Sequence, residues 1–244
     1  MASVEPWLGD GATRHARLRL LCLPFAGGGV GMYRSWIGAA PAGVAVLPVQ
    51  LPGRERRMGE PAYTSMKALV DDLVRDLSAL LAEPWAVFGH SMGGAIAHAL
   101  AVAATQAGVE PARLIVSARR APGVAPSHPP LFALPRDHLI AEMQRRYGPL
   151  PEVLSRHPGL LDSFLPTMRA DFRLLETWQA PEGRLLRCPL LTLAGSDDTA
   201  VPPASLLPWA DATSGDCEHE VLPGGHFFAR DATQARDRVM RALA

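Results

Sequence analysis

"VFGHSMGG" (87–94) is the stretch that decides how this 244-residue chain is read. It completes a short apolar run, "WAVFG" (85–89), and opens a longer alanine-rich one, "MGGAIAHALAVAATQAG" (92–108), closed by Gly108. A brief continuous apolar run is what a buried strand looks like, whereas the longer run has helical length and a glycine stop. Gly89-His90-Ser91-Met92-Gly93 therefore falls at a strand–turn–helix junction. The glycines allow a tight turn there that lifts a serine hydroxyl clear of a sheet. Ser91 is expected to be a nucleophile; the plainer alternative is a helix start capped by serine.

On both sides of this junction, apolar runs alternate with amphipathic stretches. "LRLLCLP" (18–24), "VAVLPVQLP" (44–52), "ARLIVSAR" (112–119), "PLLTLAG" (189–195) and "HEVLPG" (219–224) read as further strands. "TSMKALVDDLVRDLSALLA" (64–82) carries apolar residues at Met66, Leu69, Val70, Leu73, Val74, Leu77, Leu80 and Leu81. That spacing predicts one face of a helix, with Thr64 or Ser65 as its cap. A last helix is expected from about Asp231. Alternation of this kind implies an α/β fold with a mostly parallel, doubly wound sheet. Residues 121–186 break the rhythm: "APGVAPSHPPLFALP" is too proline-rich for regular structure, and "RDHLIAEMQRRYG" and "GLLDSFLPTMRADFRLLETW" read as helices. Inserted between two strands, they are read as a lid over the site in preference to extra core helices.

A serine needs a base and an orienting acid, and in this setting the chain order is Ser, Asp or Glu, then His. "LAGSDDTAVP" (193–202) puts Asp197 and Asp198 just past a strand, and Asp198 is the preferred acid. "LPGGHFFARD" (222–231) supplies His226 behind a glycine pair in the loop after the last strand. His15, His90, His98, His128, His138, His157 and His219 do not combine that order, position and flanking glycines.

The glycine cluster in "LPFAGGGVG" (23–31) first suggests a phosphate cradle. A dinucleotide fingerprint starting at Gly27 needs glycine where Met32 stands, and an acidic residue about twenty positions on. A Walker loop needs a lysine, and the chain's only one is Lys67. What remains is an oxyanion hole, one N–H from Met92 after the serine and another from this loop, Ala26 or, alternatively, Phe25.

Composition adds bounds. Lys+Arg and Asp+Glu number 24 each, so no electrostatic pull toward nucleic acid or an anionic membrane is expected. Cys22, Cys188 and Cys217 follow no metal-ligand spacing, which fits a reduced cytoplasmic protein without a metal. The first twenty residues have no apolar signal segment, and no run reaches the length of a membrane span.

Taken in order, "LCLPFAGGGVGMYRSW", "QLPGRERR", "VFGHSMGG", "SARRAP", "MRADFRLLETW", "LAGSDD" and "GGHFF" make the chain resemble the type II thioesterases that accompany polyketide synthases and non-ribosomal peptide synthetases. One departure is Phe25, where the family often has histidine. The resemblance implies a single α/β-hydrolase domain over 1–244, with a helical lid at 121–186 that shapes an acyl pocket. It also implies clearing of acyl groups from the phosphopantetheine arms of acyl or peptidyl carrier proteins; a monomer that needs no cofactor is expected. The residues by themselves give a serine hydrolase: Ser91 as nucleophile, His226 as base, Asp198 as orienting acid, and the Ala26 and Met92 amides as oxyanion donors. They equally permit a small-molecule carboxylesterase or lipase. A non-catalytic scaffold is disfavoured, because all three reactive residues are intact. Arg54, Arg56 and Arg57 form a basic run that suits either an acidic carrier protein or a solvated loop.

Overall fold

A computed structural model describes residues 6–8, 16–183, 185–231 and 233–244. His15 and most of the N-terminal leader lie outside them. The apolar runs form six strands: β1 (Leu18–Leu23), β2 (Val44–Pro48), β3 (Trp85–His90), β4 (Arg113–Ser117), β5 (Leu190–Gly195) and β6 (Cys217–Leu222). All pair in parallel, in the order β2-β1-β3-β4-β5-β6. The helices are α1 (Arg34–Ile37), α2 (Met66–Asp76), α3 (Ser78–Leu81), α4 (Met92–Gln106), α5 (Arg136–Tyr147), α6 (Glu152–Arg156), α7 (Pro158–Glu176), α8 (Phe228–Asp231) and α9 (Thr233–Leu243).

Alternation along the strands splits the core into two layers. Leu21, Leu23 and Val87 face α2 and α4, while Leu20, Cys22 and Phe88 face Trp36 and α9. The expected helix over 64–82 is two helices meeting at Leu77, and Ser65 is the cap, its hydroxyl accepting from the Ala68 N–H at 3.4 Å. Residues 228–231 and 233–243 are helical, in line with a last helix from about Asp231. Between β4 and β5 the described residues form no strand: residues 122–135 are irregular, then α5, α6 and α7 follow. Those helices pack among themselves through Leu139, Met143, Leu165 and Phe172. α7 tolerates Pro166 in its interior, at the cost of one helical N–H donor. Among the described residues no helix is long and apolar enough to cross a membrane.

The outer strand β6 is polar, with Glu218 and His219 exposed; Glu218 pairs with Arg113 (3.1 Å) and Arg238 (2.5 Å), and Glu220 with Arg238. On the opposite edge, Leu8 bridges Val49 and the Gln50 N–H donates to the Trp7 carbonyl at 2.6 Å. Strand order reverses at β1, so the chain ends of β1 and β3 leave the sheet side by side, Leu23 in register with Gly89. Open α/β sheets place their ligands in that crevice.

Candidate active site

Ser91 occupies the turn between β3 and α4 at φ 54°, ψ −112°, a conformation few non-glycine residues adopt. Such strain costs on the order of 1–3 kcal/mol and persists only where the surroundings enforce it. Here two glycines do so. A Cβ on Gly89 would lie 2.0 Å from the Gly93 carbonyl oxygen, and one on Gly93 would lie 2.0 Å from that of Leu23. The Ser91 N–H donates to the Ser117 carbonyl at 2.8 Å, locking the turn to the end of β4.

His226 and Asp198 converge on this serine from the loops after β6 and β5. Those loops are stitched together by the Ser196 N–H to Leu222 carbonyl (2.8 Å) and Asp197 N–H to Gly224 carbonyl (2.9 Å) bonds. His226 Nδ1 lies 2.8 Å from Asp198 Oδ2, and its Nε2 lies 2.9 Å from Ser91 Oγ. A carboxylate only accepts, so Nδ1 carries the proton; the neutral ring then accepts the Ser91 hydroxyl proton at Nε2. Asp198 is buried, and its other oxygen accepts from the Ala200 and Val201 amides at 3.0 and 2.9 Å. Asp197 is exposed, and its carboxylate accepts from the Ser196 hydroxyl at 3.1 Å. Geometry thus separates the two aspartates that the sequence leaves adjacent.

The serine and histidine open onto an apolar cavity of about 410 Å³. Phe25 and Phe227 wall its body side, and Met143, Leu150, Phe164 and Phe172 of the inserted segment wall the other. The Tyr147 ring centre lies 4.8 Å from that of His226, so the insertion touches this histidine directly.

A family model for the thioesterase domain matches residues 18–244. The chain belongs to the thioesterase family. The gramicidin S biosynthesis protein GrsT of Aneurinibacillus migulanus is 33% identical over 214 residues, 87% of this chain and 83% of that protein. Two solved structures share the fold and a third of the sequence. The RedJ thioesterase of the prodiginine pathway in Streptomyces coelicolor has a TM-score of 0.84 at 34% identity, covering 93% of this chain and 89% of that one. The type II thioesterase BorB of the borrelidin biosynthetic cluster has a TM-score of 0.81 at 33% identity, covering 98% and 94%.

In the basic run of this thioesterase Arg54 and Arg57 are held by the fold, while Arg56 is exposed. Arg54 is buried and grips Asp171 of α7 with two nitrogens, at 2.7 and 2.8 Å, and its Nη1 also donates to the Gly28 carbonyl at 3.1 Å. Arg57 pairs with Glu60 at 2.6 Å and lies 4.7 Å over the Trp7 ring. Asp171 Oδ2 in turn accepts from the Gly27 N–H at 2.8 Å, and the Gly28 N–H donates to the Phe25 carbonyl at 2.8 Å. The neighbouring Ala26 N–H has no acceptor among the described residues, and Met92 stands at the first position of α4, where helical N–H groups lack internal partners. The Arg54–Asp171 pair thus sets the loop that bears Ala26. Phe25 packs on Phe227, ring centres 4.9 Å apart, which holds the same loop from the other side.

Among the competing histidines, His90 and His98 are fully buried, and the His90 Nδ1 shares a 2.9 Å hydrogen bond with the Ser117 hydroxyl. Burial pushes the His90 pKa well below its ordinary value and, reinforced by the Arg119 charge, brings that of His98 down to about 4. Both stay neutral in the folded chain, while the unfolded chain takes up protons from about pH 6.5 downward. The unfolded state therefore binds more protons between about pH 6.5 and 4, and stability is lost as pH falls through that window. For His98 alone the expected loss from pH 7 to pH 5 is about 2 kcal/mol. It is read as a lower urea midpoint at the acid pH; an unmoved midpoint contradicts it.

Proposed function

We propose that this thioesterase hydrolyses acyl groups from the phosphopantetheine arms of carrier proteins, clearing stalled or aberrant units in polyketide or non-ribosomal peptide assembly. The observation that carries this reading is the hydrogen-bonded row Asp198–His226–Ser91 opening onto an apolar cavity of acyl dimensions. The names of the relatives support it, since RedJ and BorB are thioesterases of biosynthetic clusters.

In this reading Ser91 Oγ attacks the thioester carbonyl as His226 Nε2 takes its proton. The Ala26 and Met92 amides receive the oxyanion. The C–S bond then breaks, and the leaving sulfur takes the proton held by His226, giving an acyl-serine and the free thiol of the arm. Water attacks the acyl-serine with His226 again as base, releasing a carboxylic acid and restoring Ser91. Asp198 keeps the imidazole in the required tautomer and stabilises its charged form. Segment 121–186 serves as the lid and shapes the acyl cavity. Thioester carbonyls suit such a site because thiolate leaves readily and no metal is called for.

The test is hydrolysis of acyl-carrier-protein thioesters by the purified chain, followed by release of free thiol. Turnover that favours simple oxygen esters over carrier-bound thioesters would return the carboxylesterase reading. The two aspartates give a sharper check. Asp198→Asn is expected to lower kcat about 10⁴-fold through the wrong imidazole tautomer. Asp197→Asn, at an exposed carboxylate, changes it by less than about threefold. Equal losses in the two variants would undo the assignment.

A further inference from the structure

The His226 ring is held by its edges, through Nδ1 to Asp198 and through Nε2 to Ser91. Two such bonds fix where the imidazole reaches, but they leave it free to rock about the line that joins them. Hydrogen bonds weaken as their angles bend, so the tilt of the ring matters to both. Packing against the ring has to set that tilt. From the body of the molecule, Phe227 and His90 meet it at 5.3 and 5.6 Å between ring centres. Closer than either is Tyr147 of the inserted segment, at 4.8 Å and inclined by 44°. With all three in place His226 is only 5% exposed.

Tyr147 is itself held from several sides. It ends α5, because Gly148 turns the chain at φ 95° and Pro149 and Pro151 bar further helix. The Gly148 N–H donates back to the Gln144 carbonyl at 3.0 Å and closes the last turn. The neighbouring Arg146 is buried, and donates through Nε to Glu142 at 2.9 Å and through Nη1 to the Pro129 carbonyl at 2.8 Å. The Tyr147 ring lies nearly parallel to that of Phe172 in α7, 11° between planes and 6.4 Å between centres. Its hydroxyl makes no hydrogen bond with any described residue. The ring, not the hydroxyl, is what the fold has built in.

We infer that Tyr147 is a positioning residue for the catalytic base: its ring sets the tilt of the His226 imidazole and keeps water from the Asp198–His226 bond. An aromatic face also attracts a nearby cation, so the same contact favours the imidazolium formed when Ser91 gives up its proton. The inserted segment then does more than enclose an acyl group, because it completes the base. This rests on the proposed role of His226, and it gives the insertion a part in the chemistry that shaping a cavity does not require.

The test compares Tyr147→Phe and Tyr147→Leu with the unmutated full chain on acetyl-N-acetylcysteamine, whose short acyl group makes little use of the chamber. Tyr147→Leu lowers kcat about tenfold, the size of one cation–π contact in a desolvated site, and leaves KM within about twofold. Tyr147→Phe keeps the ring and most of kcat. A residue that served only as chamber wall would move KM instead, and mainly for longer acyl groups. The inference is overturned if the leucine variant turns over like the unmutated enzyme, if its loss falls on KM, or if the phenylalanine variant loses as much. A second readout needs no turnover. The low-field proton resonance of the His226 Nδ1–H broadens through faster exchange with water in Tyr147→Leu and stays sharp in Tyr147→Phe; an unaltered resonance in the leucine variant overturns the shielding. Where that variant fails to fold, the unmutated protein decides. A nuclear Overhauser contact between the ring protons of Tyr147 and His226 is expected in solution, and its absence overturns the inference. Failure of the unmutated chain to hydrolyse any thioester defeats the thioesterase reading itself, and the resonance measurements stand apart from that outcome.

Discussion

Ser91→Ala lowers single-turnover hydrolysis of an acyl-carrier-protein thioester by about 10⁵-fold or more, leaving only what the oxyanion donors and substrate binding supply. His226→Ala costs a similar factor, and the double variant is scarcely worse than either, because the nucleophile and its base act as one unit. The Ser91→Ala protein keeps its fold, since alanine loses only an oxygen; relief of the demand on the Ser91 hydroxyl does not relax the turn, which is set by contacts of Gly89 and Gly93. Unchanged hydrolysis in the serine variant, measured on folded protein, removes the mechanism. Losses from Ser91 and His226 that multiply show instead that the two residues act separately.

Asp171→Ala is expected to destabilise the chain by about 3–5 kcal/mol, because it leaves the Arg54 guanidinium buried and unpaired. The same change frees the Gly27 N–H, so the loop bearing Ala26 loses its anchor and kcat falls along with stability. The paired replacement Arg54→Met with Asp171→Leu separates these effects. An apolar pair of similar bulk restores much of the stability, as buried ion pairs are often replaceable in that way. It does not restore an acceptor for the Gly27 amide, so kcat stays depressed. A thermal midpoint unmoved by Asp171→Ala shows that the pair is not buried in solution; full recovery of kcat in the paired variant shows that the loop is held by other contacts.

Much of this molecule is written locally, and that part is legible in the sequence. Strands β1 to β5 are short apolar runs, and the parallel pairing of the sheet follows from strand–helix alternation. Ser91, Asp198 and His226 stand out because each follows a strand-like run, in the chain order expected of this fold class. Residues brought together from afar are harder to read. Arg54 and Asp171 are 117 positions apart, and a run of three arginines looks like a wet loop until helix α7 descends on it. The short distance from Tyr147 to the His226 ring carries no local signal either, since the C-terminal turn of α5 reads as an ordinary amphipathic helix end. The choice between Asp197 and Asp198 is intermediate. The spacing favours one residue, but what decides is which carboxylate the Ala200 and Val201 amides hold. Helix 64–82 ends early for a similar reason: its apolar stripe runs through Leu77 without any residue that marks the break.

The two borders of the sheet bear on how the chain behaves in a crowded cell. An outer strand presents a row of unsatisfied amides and carbonyls, and another polypeptide can add itself there as a further strand. Along β6 such an intruder meets Glu218, His219 and Glu220, water-facing or paired with Arg113 and Arg238, and docking would strip that hydration. Just past the end of β2, the stretch around Trp7 and Leu8 lies against Val49 and Gln50. The polar outer strand thus guards that margin of the sheet against strand-by-strand sticking.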